Sequence, residues 1–404
     1  MRIAFTVNGP GEYAGWLRPL LLALYARLPD LEATVFFVPD DFATGREAAV
    51  ARQEFPRVRA VEPRDYVRFA LGGSLRDGPL AVDRVQYLGG DLMHAARLAR
   101  RLGGTATSYK FSRPRYKRLF ARVFAVDARN REDLIGWRTP PERIAVVGNL
   151  AIDGALREAE SADAITDATA ADAVLFMPGS RRAEVANMVP FYFAVAVRLR
   201  SLDPGIPIVF GLSPFTLLDE VARALEKGGH PLAYAMKGRV VQRDGVAYLA
   251  SEDGAHAFPA IYHTLRAATK ARLALTIPGT KTIELAALGV AAVVTVPFNA
   301  PELAVITGPL QYVERIPGIG TPLKRRLAMQ FSKRFKFFAQ TNIDADRELI
   351  PELVGTLTPG HVARRVYERY LDRGWARRVA SELRALYAEH AGASRRMAEA
   401  LLAS

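Results

Sequence analysis

The sequence predicts an α/β protein built from two doubly wound parallel sheets that face a cleft. Three observations predict it. The chain opens with a buried strand, a glycine-rich loop and a helix; the same order restarts near residue 173; and an Ala- and Asp-rich stretch without aromatics, residues 155–172, lies between the two halves. Ligands in such sheets sit beyond the carboxyl ends of the strands.

Taken in order, residues 2–7 (Arg-Ile-Ala-Phe-Thr-Val) read as a strand, Asn8-Gly9-Pro10-Gly11-Glu12 as a loop, residues 16–28 as a helix and 33–38 as a second strand. Residues 85–88 read as a short strand ending in Gly89-Gly90-Asp91, followed by a helix over 92–102; residues 122–126 and 144–147 complete the first half as strands. In the second half, strands are predicted over 173–176, 206–210, 272–276 and 291–296, with helices from the Gly179 loop through Leu199 and over 281–288. The expected division is a first domain over 1–154, a linker over 155–172, a second domain over 173–358 and a helical segment over 359–404.

Composition narrows the chemistry. Lys and Arg number 55 against 42 Asp and Glu, a net charge of +13 that suits an anionic partner. There is no cysteine, which excludes disulfides, zinc–thiolate sites, iron–sulfur clusters and cysteine nucleophiles. The six histidines show no metal-binding spacing, and each is expected to be structural or at the surface. No metal and no bound cofactor are expected. The opening strand does not read as a targeting segment, and the longest apolar run, 285–296, is well short of the ~20 residues of a membrane span.

Two loops of the second half carry the strongest signals. In Met177-Pro178-Gly179-Ser180-Arg181-Arg182-Ala183-Glu184 a strand enters a helix, Gly179 permits a tight turn, Ser180 can cap, and Arg181 offers a charged fork for a diphosphate. Pro278-Gly279-Thr280-Lys281-Thr282-Ile283-Glu284 repeats the arrangement, with Thr280 as a cap and Glu284 one turn in, where a carboxylate can accept both hydroxyls of a ribose. Each loop is equally a capped helix start with a favourably placed charge. In the first half Asp91 stands where a cleft-facing carboxylate would stand, and also where an ordinary helix cap would stand.

Two basic stretches mix cations with aromatic or apolar residues. One spans 110–118; the other spans 324–338 and includes Lys324, Arg325, Arg326, Lys333, Arg334 and Lys336. Nucleic acid and an anionic membrane are the two uses such stretches could have, and for either run alone a solvated face is the better reading; of the two uses the membrane patch is preferred, and no nucleic-acid partner is expected.

Together these motifs resemble the lipid-A-disaccharide synthase family, inverting glycosyltransferases of the two-domain, Rossmann-like GT-B fold. The family's Leu-Pro-Gly-Ser-Arg-x-x-Glu loop is similar to residues 177–184, its Ser-Gly-Thr-Ala-x-Leu-Glu loop to 278–284, and its late Pro-Asn and Pro-Glu segments to Thr341-Asn342 and Pro351-Glu352. Its opening Gly-Glu-x-Ser-Gly-Asp resembles Gly11-Glu12-Tyr13-Ala14-Gly15-Trp16, and its Val-Gly-His-Pro segment resembles Val147-Gly148-Asn149-Leu150. Trp16, Asn149, Pro278 and Lys281 depart from the family's residues. The resemblance implies a UDP-sugar donor held by Gly179, Ser180, Arg181, Gly279, Thr280, Glu284, Asn342 and Glu352. It implies Asp91 and Glu12 as catalytic carboxylates, with Gly11 and Gly15 on the acceptor side. The implied partners are a lipid or lipid-linked acceptor and the inner face of the cytoplasmic membrane, for a cytoplasmic, peripheral and possible homodimeric enzyme. An isomerase such as a UDP-sugar 2-epimerase on the same architecture, or a non-catalytic nucleotide-sugar binder, is the alternative.

Overall fold

Residues 1–40, 43–110, 117–228, 234–298 and 335–403 are described by the computed structural model of the chain. They form two units, one made of Met1–Gly154 with Ala388–Ser404, the other of Ala155–Tyr387.

The first unit holds seven parallel strands: β1 (Arg2–Val7), β2 (Glu32–Phe37), β3 (Arg59–Val61), β4 (Arg84–Tyr87), β5 (Thr105–Tyr109), β6 (Phe120–Ala125) and β7 (Ile144–Val146). From Ile3 to Val7 every residue of β1 is fully buried. Such a continuous run suits a parallel strand covered by helices on both faces. The strand order is β3-β2-β1-β4-β5-β6-β7. The chain therefore winds outward from β1 through β2 to β3, then returns to place β4 on the other side of β1. That reversal opens a crevice at the carboxyl ends of β1 and β4. After β1 the chain passes through a short π-helical turn, Tyr13–Leu17, before the regular helix Arg18–Arg27. The helix Ala393–Ala403, from the far end of the sequence, packs on Arg18–Arg27 and buries Ala393, Met397, Ala398 and Leu401. It is fixed by Asp153, whose carboxylate accepts the Gly392 and Ser394 N–H groups at 2.7 Å and the Ser394 hydroxyl.

The second unit holds an eight-stranded sheet: β8 (Val174–Met177), β9 (Ile208–Gly211), β10 (Arg239–Arg243), β11 (Val246–Ala250), β12 (Ala257–Ile261), β13 (Leu273–Thr276), β14 (Ala292–Pro297) and β15 (Glu352–Gly355). Its order is β10-β11-β12-β9-β8-β13-β14-β15, parallel except where β11 pairs antiparallel with β10 and β12. Here the reversal falls between β8 and β13. The long helix Arg182–Leu202 is buried along most of its length because helices Leu218–Lys227 and Pro359–Leu371 both pack on it. The Ala- and Asp-rich stretch carries the helix Ala164–Ala170, whose Thr166 and Ala170 are buried. Arg266 grips Asp167 with two N–H groups, and Glu158 accepts the Leu265 N–H at 3.0 Å.

Candidate functional site

In the second unit the two glycine loops leave the carboxyl ends of β8 and β13, the adjacent strands at the reversal of the sheet. They touch. A Cβ added to Gly179 would lie 2.9 Å from Ile277 Cδ1, and it would meet the Glu184 carboxylate. Gly179 also holds φ +102°, a left-handed conformation that glycine adopts without strain. The sequence placed both loops here, and the structure brings Gly179, Ser180, Arg181, Gly279, Thr280 and Glu284 to this one corner.

The two loops are not equivalent. Glu184 folds back so that its Oε2 accepts the N–H groups of Ser180 at 2.9 Å and Arg181 at 3.0 Å. Those amides, which an anion could otherwise meet, are satisfied from within. Arg181 also directs Nη1 to Glu184 Oε1 at 3.4 Å. Gly279, by contrast, starts the helix Thr280–Ala287 with φ +146°, no side-chain cap, and open space on its Cβ side. No side chain of a described residue caps this eight-residue helix start, and its dipole end favours an anion.

Glu284, one turn into that helix, is buried, with only 4% of its surface exposed. The Lys281 ammonium, 2.6 Å away, partners its buried Oε2, which takes no further hydrogen bond from a described residue. Burial disfavours the charged form of Lys281, but the carboxylates of Glu284 and Glu158 outweigh it and hold the ammonium above its ordinary pKa. This ion pair was not anticipated; the spacing of three residues along one helix was the available signal.

Asn342 and Glu352 lie beside this corner, tied to it by the Thr341 hydroxyl, which donates to the Thr282 carbonyl at 2.9 Å. Their polar atoms are used locally. The Asn342 amide donates to the Ile350 carbonyl and to Glu352 Oε1, both at 2.8 Å, and its Oδ1 accepts the Leu349 and Ile350 N–H groups. Glu352 also accepts the N–H groups of Phe338 and Ala339 at 2.8 Å. This network holds the helix Gln340–Ala345 against β15. Lys336 is exposed and pairs with Asp346 at 3.0 Å. Lys324, Arg325, Arg326, Lys333 and Arg334 lie outside the described residues.

In the first unit the loops after β1 and β4 meet in the same way. A Cβ on Gly89 would collide with the Asn8 side chain and approach Glu12 Cγ to 3.0 Å. Gly11, Glu12 and Gly15 belong to the helical turns that follow β1. Asp91 is exposed and caps the helix Leu92–Leu102, Oδ1 accepting the Met93 N–H at 2.8 Å; no described residue bonds Oδ2. Tyr87 between them donates to the Gly90 carbonyl at 2.8 Å. Burial, then the negative charges of Glu12 and Asp91, raise its pKa far above the ordinary phenol value, so it stays a donor. His94, one turn after Asp91, was expected to be structural or at the surface. Its Nδ1 lies 2.5 Å from the buried Tyr66 hydroxyl, and a Cβ added to Gly90 would lie 3.6 Å from its Cδ2. Asn149 is buried, and its Oδ1 accepts the Ala151 N–H at 3.1 Å.

Among the described residues no helix is long and apolar enough to cross a membrane, and no three acidic or histidine side chains converge as a metal site would require.

No family model matches the chain, and no curated protein does. Solved structures do. A UDP-GlcNAc 2-epimerase from Neisseria meningitidis bound to UDP-GlcNAc is 14% identical, covers 100% of both chains and superposes with a TM-score of 0.58. A UDP-GlcNAc 2-epimerase from Methanocaldococcus jannaschii, in complex with UDP-GlcNAc and UDP, is 14% identical over 100% of both chains with a TM-score of 0.51. At these identities the likeness establishes the fold: α/β, two Rossmann-like units of GT-B type. It corrects the assignment to the lipid-A-disaccharide synthases. The structural neighbours are isomerases, so the hexosyltransferase activity and the role in lipid A biosynthesis fall with that assignment, and a lipid acceptor has no support. The physical reason is plain from the sheets. Glycine loops at a strand-order reversal are what any nucleotide-binding fold of this architecture needs, so matching them to one family did not separate it from another.

Proposed function

We propose that the chain binds a UDP-sugar and inverts its C2 centre, as an isomerase of the UDP-sugar 2-epimerase type. The observation that carries this reading is the meeting of the Gly179 and Gly279 loops at the reversal between β8 and β13. The uncapped helix start at Gly279 suits a diphosphate, and Glu284 suits the ribose hydroxyls. The likeness to epimerases crystallised with UDP-GlcNAc supports the ligand class.

Inverting C2 requires a proton to leave one face as its electron pair expels the diphosphate from C1, and a proton to arrive at the opposite face of the double bond so formed as the diphosphate returns to C1. Two groups able to hold a proton are therefore needed. We assign that work to Asp91, whose Oδ2 is available while Oδ1 caps its helix, and to Glu12 at the neighbouring loop.

The test is incubation with UDP-N-acetylglucosamine in D2O, followed by proton NMR. Inversion through a C2 proton transfer yields the C2 epimer and replaces the C2 hydrogen with deuterium. Asp91→Asn keeps a residue that can cap but removes the carboxylate. It is expected to abolish conversion and to leave UDP binding, read by calorimetry, within about threefold of wild type, a shift of less than ~1 kcal/mol. Binding without conversion by the wild type favours a nucleotide-sugar binder. Conversion that survives in Asp91→Asn removes Asp91 from the chemistry.

A further inference from the structure

The Lys281–Glu284 pair is hard to explain as a stabilising element. A carboxylate as buried as Glu284 must be neutralised, and one lysine does it. Such a pair commonly gains little over apolar residues of similar size, because both charges lose water. It also sits at an odd place, in the first turn of the helix whose open start faces the space beyond Gly279. Lys281 is not sealed in. A third of its side chain is exposed, against 6% for Glu284. A lysine carries its charge on a flexible stem with rotatable donors, so it can change partners without moving the backbone.

We propose that Lys281 makes this site selective for the diphosphate of its ligand by exchanging partners. In the free protein it neutralises Glu284; in the complex it turns to the diphosphate, and Glu284 receives the ribose hydroxyls. The proposal rests on the UDP-sugar reading above. A nucleoside without a diphosphate must part the ion pair and give the ammonium nothing in return, with Glu158 as its remaining acidic neighbour. A nucleoside diphosphate parts the same pair and supplies a new counter-charge. The selectivity comes from the pair, and not from a phosphate-shaped cavity.

The experiment is calorimetric titration of UDP and of uridine into wild type, Lys281→Gln, Glu284→Gln and the double variant. The ratio of UDP to uridine affinity is expected to fall at least tenfold in Lys281→Gln, mostly through weaker UDP binding, with uridine binding unchanged or tighter. The same fall is expected between Glu284→Gln and the double variant. That second comparison decides the matter if Lys281→Gln, with Glu284 left buried and unpaired, does not fold. Equal weakening of both ligands makes Lys281 a structural counter-ion and overturns the exchange, as does an unchanged ratio in both comparisons. Failure of the wild type to bind UDP is a different result: it overturns the nucleotide reading of the site, and the exchange with it.

Discussion

The Tyr66 hydroxyl lies 2.5 Å from Nδ1 of His94, inside the first unit and one helical turn from Asp91. Burial pushes the Tyr66 pKa up to about 12, so the hydroxyl keeps its proton. Burial, with Arg97 adding to it and Asp91 opposing it, holds the His94 pKa below 6.5.

A pH dependence follows from this pair. In the unfolded chain His94 takes up a proton near pH 6.5, while the folded imidazole resists until lower pH. Stability from this group is therefore complete above pH 6.5 and declines as pH falls below it. Urea unfolding at pH 5 and pH 7.5 should show a smaller loss at pH 5 in His94→Gln than in wild type. Equal losses in the two proteins would place the acid sensitivity elsewhere.

The two glycines of the second unit differ in what an added methyl meets. Both substitutions must hold a left-handed φ, but Gly179→Ala also pushes its Cβ into Glu184 and Ile277, whereas Gly279→Ala meets open space. Strained backbone alone costs about 1–3 kcal/mol. Gly179→Ala is expected to lose more stability than Gly279→Ala in urea unfolding. A reversed order would show that Glu184 yields easily.

Asn342→Ala would strip partners from the Leu349 and Ile350 amides, the Ile350 carbonyl and Glu352 at once. Each buried polar group left unpaired costs about 1–3 kcal/mol, so a loss of at least ~3 kcal/mol in denaturant unfolding is expected. Asn342→Asp should fold poorly too, because it sets a second carboxylate against Glu352. A loss near zero in Asn342→Ala would mean that water replaces the amide.

Asp153→Ala removes the clamp on residues 392 and 394. A lost helix cap costs about 1–2 kcal/mol. Hydrogen exchange is the more telling measurement. Amides of Ala393–Ala403 should lose protection while those of β1 and β4 keep theirs. Uniform loss across the unit would show that this helix does not open by itself.

Much of the fold was legible because buried parallel strands write themselves as apolar runs. Strand β1 reads directly from Ile3–Val7, and β8 from Val174–Met177. What escaped had a different signature. Strand β5 is Thr-Ala-Thr-Ser-Tyr, with small polar residues in its buried stretch, of which Thr107 donates to Gln86 at 2.6 Å. Strand β15 is four residues long and alternates buried Leu353 with exposed Val354 at the sheet edge. The antiparallel β10 carries exposed Arg239 and Arg243, and neither it nor β11 follows the glycine-loop–helix rhythm. At the site, residue type and spacing located the loops but not the use of each polar atom. That Glu184 satisfies the Ser180 and Arg181 amides, and that Lys281 holds Glu284, depends on side-chain conformation, which the order of residues does not record.

The helix Ala393–Ala403 completes a layer laid down by the first 154 residues, and more than two hundred residues of the other unit are translated in between. On the ribosome, therefore, the sheet that carries Asp91 emerges with its Arg18–Arg27 face still bare, exposing the apolar surface that Met397 and Leu401 later cover. The second unit has no such debt to a later segment. The order of synthesis thus differs from the order in which the two units can finish folding, and a nascent chain halted before Ala388 would hold one finished unit and one awaiting its last piece.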